Sequence, residues 1–370
     1  MHGGIEVADI FRQYGPSYKA THRLPLQHLR TMRAIEICRT AELGGHVDEC
    51  EDCGHVKISY NSCRNRHCPK CQFLKKEKWI EARESELLPI AYFHVVFTLP
   101  EELNPVALRN REVLYNLLFK AATKTLAELA RERLGVQIGC TILLHTWGQN
   151  LLTHPHLHCI VSGGGLSGDR WVHAKRRFLF PGKVLSRLFK GKFLSFLKKA
   201  YEGGDLQGVD QFTALLNALY GKEWVVYAKP PFNGPETVLK YLGRYTHRIA
   251  ITNHRIKSME EGKVSFSWKD YADGNKKKIM PLDVFEFIRR FLLHVLPPGF
   301  VKIRHVGFLS NRNRKAALEI CRAALGVAQP ESTPSETWQA VLLRITGIDV
   351  GRCPLCQGTM QRKQLYRGPP

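Results

Sequence analysis

Acidic residues are scarce in this chain of 370 residues: 33 Asp and Glu stand against 55 Lys and Arg, a net charge of +22. A surface so short of negative charge attracts polyanions over a Debye length, and released counterions drive the association. Nucleic acid is therefore the default partner. A solubility habit and attraction to anionic lipid are the plainer alternatives, and charge does not separate DNA from RNA. Long apolar runs are also missing. None approaches the roughly 18–20 residues of a membrane span, so no membrane partner is expected. The opening MHGGIEVADIF has no charged start followed by an apolar stretch, so no secretory signal is expected. Internal repeats and low-complexity tracts are lacking. So is the GxxxxGK[ST] phosphate loop, which argues against an ATPase or helicase and for no nucleotide cofactor. An apolar share of 44% and an aromatic share of 10% support real cores, and the length suffices for two or three domains.

What is abundant is metal-ligand chemistry, with 11 Cys and 16 His. The cysteine number is odd, the residues cluster in CxxC pairs, and the chain is no small secreted scaffold, so zinc in a reducing cytoplasm is the reading. Cys50-x2-Cys53 and Cys68-x2-Cys71 are separated by 14 residues. Each pair can present two thiolates to a tetrahedral ion. Cys50, Cys53, Cys68 and Cys71 are expected around one structural Zn²⁺. Cys63 with His46 or His67 is the substitute or second site, and His55 lies in the same segment. Arg64, Arg66, Lys70, Lys75, Lys76 and Lys78 surround the cluster, either as a nucleic-acid grip or as a solvated rim. Cys353 and Cys356 form a half-site that is either completed in space or a plain turn with two thiols.

Thr153-His154-Pro155-His156-Leu157-His158-Cys159-Ile160 reads as a strand. Side chains alternate across a strand, so His156 and His158 share a face and can converge on a divalent ion. Two imidazoles plus an oxygen would leave positions open for catalysis. Gln149, Asn150 and His154 lie upstream, and any of them, Gln149 foremost, or a group on a neighbouring helix could supply the third ligand. Gly163-Gly164-Gly165 is expected to break this strand. Further on, Tyr241 and Tyr245 are i and i+4 and stand on one face of a helix. Val238, Leu242 and Ile249 fall near that face, so both rings could be core. Lys240, Arg244, His247 and Arg248 put positive charge beside them, which favours a tyrosinate, and a tyrosinate is a competent nucleophile for phosphorus.

Elements mix without a regular βαβ rhythm, which makes the chain α+β with a small zinc-binding module in front. Helices are expected from Pro25 to Arg39, from Phe73 to Leu88, from Asn104-Pro105 to Gly135 as one long helix, and from Val184 to Ala200. Another is expected from Pro235 to about Arg248, and Asp283 caps a further one. Strands are expected at Tyr92–Leu99, Val136–His145, Leu157–Ser162, Trp224–Ala228 and Val264–Trp268. The boundaries expected are residues 1–88 for an N-terminal helix plus zinc-binding, nucleic-acid-recognising domain, 89–315 for the domain carrying the histidine and tyrosine pairs, and 316–370 for a tail carrying the CxxC half-site.

Taken in order, CEDCGHVKISYNSCRNRHCPKCQ, HVVFTLP, HPHLHCIVSGGG, YLGRYTHR and IRHVGFLSNR resemble the rolling-circle transposases of the insertion sequence ninety-one type. These are HUH nucleases, in which U is a hydrophobic residue. The resemblance covers roughly residues 45 to 315, and the tail CPLC also looks familial. It implies an HUH core of antiparallel sheet flanked by helices, with His156 and His158 binding Mg²⁺ or Mn²⁺. It implies Tyr241 and Tyr245 as nucleophiles, with Arg244 beside them, and the cysteines as a zinc-binding domain. It further implies nicking and rejoining of single-stranded DNA at element ends and target site through a 5′-phosphotyrosine, in the bacterial cytoplasm at the nucleoid. Arg64, Arg66, Lys70 and Arg248 are the expected DNA contacts. A plasmid or phage replication initiator or relaxase would use the same chemistry. A non-catalytic zinc DNA-binding protein is the alternative of a different class. A histidine-triad nucleotide hydrolase fits HPHLHCI only loosely.

Overall fold

The structure, a computed structural model, describes residues 4–174, 179–229, 232, 237–238, 241, 243, 249–329 and 336–366, with backbone alone at 73–74 and 364–366. In chain order the strands are β1 (Gly45–Cys50), β2 (Val56–Tyr60), β3 (Tyr92–Thr98), β4 (Gln137–Trp147), β5 (Thr153–Ser167) and β6 (Arg170–His173). They continue as β7 (Val226–Ala228), β8 (Ile256–Glu260), β9 (Lys263–Asp270), β10 (Lys276–Asp283), β11 (Ile303–Gly307) and β12 (Met360–Tyr366). The fold is α+β, as the mixed pattern predicts.

The central sheet runs β11-β4-β5-β3-β7, with β6 pairing the far end of β5. Every pairing in it is antiparallel. Alternation gives it two unlike faces. Phe93, Val95 and Phe97 on β3, Cys140, Ile142 and Leu144 on β4, and Leu157, Cys159 and Val161 on β5 point into one core. The helices Arg111–Leu134 and Gly182–Glu202 cover that core with Leu114, Leu118, Ala122, Phe189, Phe193 and Leu197. Each such large apolar side chain contributes roughly 1.5–3 kcal/mol by leaving water. The opposite face carries the site beside a third core, in which Leu143 and Ile160 pack with Leu88, Tyr92, Val238 and Phe308.

Two expectations are corrected here. The helix opening at Asn104-Pro105 is not continuous. It breaks at Asn110 (φ −121°, ψ 45°) into Asn104–Arg109 and Arg111–Leu134. The Asn110 side chain donates to the carbonyls of Val106 and Gln207 and accepts from the Gln207 N–H, so it is tied to a distant loop. Nor do the three glycines end β5, which continues to Ser167. A Cβ at Gly163 would overlap the Ala91 carbonyl oxygen, and one at Gly165 that of Gln137. These glycines admit close backbone neighbours rather than stopping the strand.

A second core joins the helices Val7–Thr21 and Leu26–Glu36 to the sheet β10-β9-β8 and the helix Val284–Leu293. Phe11 meets Phe291 edge-on at 5.3 Å between ring centroids. The Asp283 carboxylate accepts from the N–H groups of Phe285 and Glu286, a cap worth about 1 kcal/mol. The third sheet runs β12-β1-β2, so the C-terminal strand pairs with the first strand of the chain. No helix among the described residues is long and apolar enough to cross a membrane.

Candidate metal centres and nucleophile

Strand register assembles the histidines. Residues directly opposite in an antiparallel pair point to the same face. His156 on β5 lies opposite His145 on β4 and Thr98 on β3, and His158 lies opposite Val96. His145, His156 and His158 each bring one ring nitrogen to within 4.8 Å of the others. The Nε2 atoms of His156 and His158 are 3.2 Å apart. His156 Nδ1 is 2.7 Å from the His154 carbonyl oxygen, which places the proton on Nδ1 and turns Nε2 toward the cluster. His145 stacks on Trp147 with centroids 4.8 Å apart. Such outer contacts orient imidazole ligands.

Gln149, expected as third ligand, is elsewhere. Its Nε2 is 3.4 Å from the Tyr271 hydroxyl and its carbonyl accepts from Arg255, so it belongs to the turn after β4 and the β9–β10 hairpin. The side chain that the sheet brings to His156 and His158 is His145. The reason is geometric: Gln149 is close to the pair in sequence, whereas His145 is opposite it in the sheet.

A second histidine escapes sequence reasoning. His94 on β3 is buried at 3% exposure. Its Nε2 is 3.0 Å from His158 Nδ1 and 2.6 Å from the Tyr241 hydroxyl. The same hydroxyl is 3.1 Å from His158 Nδ1. Burial, with Lys229 and His156 nearby, pushes the His94 pKa down to about 3, so its imidazole is neutral. Tyr241 is half-buried, and Phe232 packs against it at 5.1 Å between centroids. Tyr245, Arg244 and Arg248 lie outside the described residues.

The cysteines separate into two quartets. Cys38, Cys63, Cys68 and Cys71 form one, and Cys50, Cys53, Cys353 and Cys356 the other. The expectation that Cys50, Cys53, Cys68 and Cys71 share one ion is corrected: the two knuckles stand in different quartets. β1 and β2 carry the first knuckle into the β12-β1-β2 sheet, whereas Cys68 joins the second core. Cys63 completes the first quartet with Cys38, not with His46 or His67. His46 faces Asp48 at 3.6 Å, and His67 Nε2 faces the Leu296 N–H at 3.4 Å. Cys38, which no spacing rule marks, follows the helix Leu26–Glu36 by two residues. Its thiol pKa is lowered to about 7 by hydrogen bonding with Cys63 and Cys68. Cys140, Cys159 and Cys321 are buried.

Of the basic residues around the cluster, Arg64 is exposed. Arg66 is turned inward, donating to the carbonyls of Phe300 and Pro297, and Lys70 pairs with Glu6. Arg66 and Lys70 thus tie the thiol module to neighbouring segments, and Arg64 is the most exposed of the three.

Imidazoles and a phenol on the second face of an antiparallel sheet, together with thiol quartets in an α+β chain, define a protein with a metal-binding module attached to a histidine-bearing core. Residues 10–99 match the family described as "Transposase zinc-binding domain" and residues 139–317 the family described as "Putative transposase". A protein of Sinorhizobium fredii named "Putative transposase y4qJ" is 51% identical over 99% of this chain and 96% of its own length. The transposase for insertion sequence element IS801 of Pseudomonas savastanoi pv. phaseolicola is 29% identical over 90% of this chain and 82% of its own length. No solved structure matches the chain. The chain belongs to the transposases of the insertion sequence ninety-one type, which move by rolling-circle transposition. Its substrate is DNA, and its N-terminal module is a structural zinc-binding domain.

Proposed function

We propose that the chain nicks and rejoins single-stranded DNA at element ends and target site, with Tyr241 as nucleophile. The observation that supports this best is the convergence of the three imidazoles of His145, His156 and His158 with the Tyr241 hydroxyl, 3.1 Å from the back of His158.

Three imidazole nitrogens without a carboxylate fit a first-row divalent cation such as Mn²⁺, and would hold Mg²⁺ less firmly because its preferred ligands are oxygens. A cation bound there supplies Lewis-acid charge to the non-bridging oxygens of the scissile phosphate. The chain's own residues do the rest. His94 and His158 hold the phenol by its oxygen. The Tyr241 oxygen forms a bond to phosphorus as the bond from phosphorus to the 3′ oxygen breaks. The phenol loses its proton, and the departing oxygen gains one to become a 3′-OH. The product is a 5′-phosphotyrosine, whose bond energy is retained, so that a 3′-OH of another strand can displace the tyrosine without a nucleotide cofactor. Tyr245 serves as a second nucleophile, with Arg244 and Arg248 favouring the anionic phenol and the phosphate. Arg64, exposed near the thiols, contacts the DNA backbone in this reading, and the reaction belongs in the bacterial cytoplasm at the nucleoid.

The test is an oligonucleotide carrying an element end, incubated with protein and Mn²⁺ or Mg²⁺ and resolved under denaturing conditions. A covalent protein–DNA adduct is expected. It should vanish with His156→Ala and with Tyr241→Phe combined with Tyr245→Phe. An adduct that survives the double tyrosine change overturns the nucleophile assignment.

A further inference from the structure

The tail knuckle Cys353-x2-Cys356 is a built counterpart of Cys50-x2-Cys53. The Cys50 N–H donates to the His55 carbonyl and the Gly54 N–H donates back to the Cys50 carbonyl. In the tail the Cys353 N–H donates to the Gly358 carbonyl and the Gln357 N–H donates back to the Cys353 carbonyl. The same two bonds, at the same offsets, close both turns. The residue after the second cysteine is left-handed in each: Gly54 at φ +70° and Gln357 at φ +64°. Gln357 adopts that conformation although a side chain disfavours it there, so the turn is held by its surroundings. The Leu355 N–H also points at Cys353 Sγ at 3.4 Å.

The sulfurs interlock across the two knuckles. Cys50 Sγ is 3.4 Å from Cys356 Sγ, and Cys53 Sγ is 3.6 Å from Cys353 Sγ. A tetrahedron with Zn–S bonds near 2.3 Å has edges of roughly 3.8 Å. The spacing therefore matches four thiolates around one ion and is too long for disulfides. Beyond the knuckles, β12 pairs with β1 from Cys50↔Met360 through Gly45↔Tyr366. Charges match across this pairing: Arg362 with Asp48 at 2.8 Å, and Lys363 with Glu49.

We propose that Cys50, Cys53, Cys353 and Cys356 bind a second Zn²⁺, which clasps the C-terminal strand to the N-terminal module independently of the ion at Cys38, Cys63, Cys68 and Cys71. The zinc-binding family match ends at residue 99, so this site draws half its ligands from outside that domain. The loop it closes spans 300 residues between Cys53 and Cys353, and a metal cross-link over so long a loop removes chain entropy from any state with the tail released. The two sites differ in access. Cys53 and Cys356 are exposed, whereas the other quartet has Cys38 and Cys68 buried and Cys63 and Cys71 half-buried. The clasp is therefore the ion that a chelator removes first, and its loss frees β12.

The experiment uses the full chain purified with zinc and carrying His156→Ala, which disables the imidazole cluster so that only thiolate-bound zinc is counted. Metal analysis is expected to find two ions per chain, falling to one in Cys353→Ser/Cys356→Ser, while Cys356→His keeps two because imidazole can replace one thiolate. In the wild-type protein the exposed thiols of Cys53 and Cys356 should resist alkylation, read by peptide mass, until a chelator is added. Trypsin should then cut after Arg352 and Arg362 while the central sheet stays intact. Two ions retained in the double serine variant, or rapid alkylation of Cys356 in the zinc-loaded protein, would overturn the proposal. Neither readout depends on DNA cleavage.

Discussion

The Tyr241 hydroxyl stands 2.6 Å from Nε2 of His94, and the same His94 nitrogen is 3.0 Å from Nδ1 of His158. One buried imidazole thus joins Tyr241, the proposed nucleophile, to an imidazole of the three-histidine cluster. The link fixes where the phenol oxygen sits relative to a phosphate bound at that cluster. His94→Ala is expected to slow adduct formation in single turnover by roughly 10- to 100-fold, the usual effect of misplacing a reacting group. His94→Gln, whose amide can still meet the phenol, should recover part of the rate. An unchanged rate in His94→Ala would remove this residue from the mechanism.

The proposal of His145 rather than Gln149 as third ligand separates two variants. His145→Ala should weaken Mn²⁺ binding by at least about 10- to 100-fold, the loss already seen when only an outer contact of a ligand is removed. It should abolish the adduct at low metal concentration. Gln149→Ala should stay within roughly twofold to threefold of wild type, as a substitution away from the site does. Titration of the DNA-cleavage rate against Mn²⁺ compares the two.

Stability should fall in mild acid through two histidines outside the metal cluster. Burial pushes His294 down to about 4, its Nε2 facing the Leu151 carbonyl and its Nδ1 facing Thr146. His305 is pushed down to about 4 by burial together with Arg83 and Arg314. An unfolded histidine titrates near 6.5. The folded value is the lower one, so the unfolded chain binds more protons between these limits. Stability is then full above about pH 6.5 and is lost as pH falls toward 4. Urea midpoints across that window should decline, with each group worth on the order of 1–3 kcal/mol. His294→Gln should flatten the slope; an equal slope in the variant would discount this histidine.

Gly307 closes β11 at φ +66°, and a Cβ there would overlap the Ile138 carbonyl oxygen. Gly307→Ala therefore combines a disfavoured backbone with a clash against β4. A loss of roughly 2–4 kcal/mol is expected, read as a lower denaturation midpoint. Gly191→Ala, in a helix with open space around it, serves as the control and should be neutral or slightly stabilising.

Much was legible in the residues themselves, and the limits follow from what local physics can carry. Side-chain alternation along a strand depends on that strand alone, so His156 and His158 could be assigned to one face before any partner strand was known. Capping is equally local, and Asp283 begins its helix as its residue type suggests. Composition determined that the surface would seek a polyanion, and CxxC spacing determined that thiols would grip metal. What only the tertiary structure decided is which distant groups complete each set. His145 and His94 meet the motif histidines through register with β4 and β3, and register depends on long-range pairing. The two knuckles that look like one site fall into different quartets, where Cys38 completes one and a tail 300 residues away completes the other. A metal needs four ligands near in space and is indifferent to their distance along the chain.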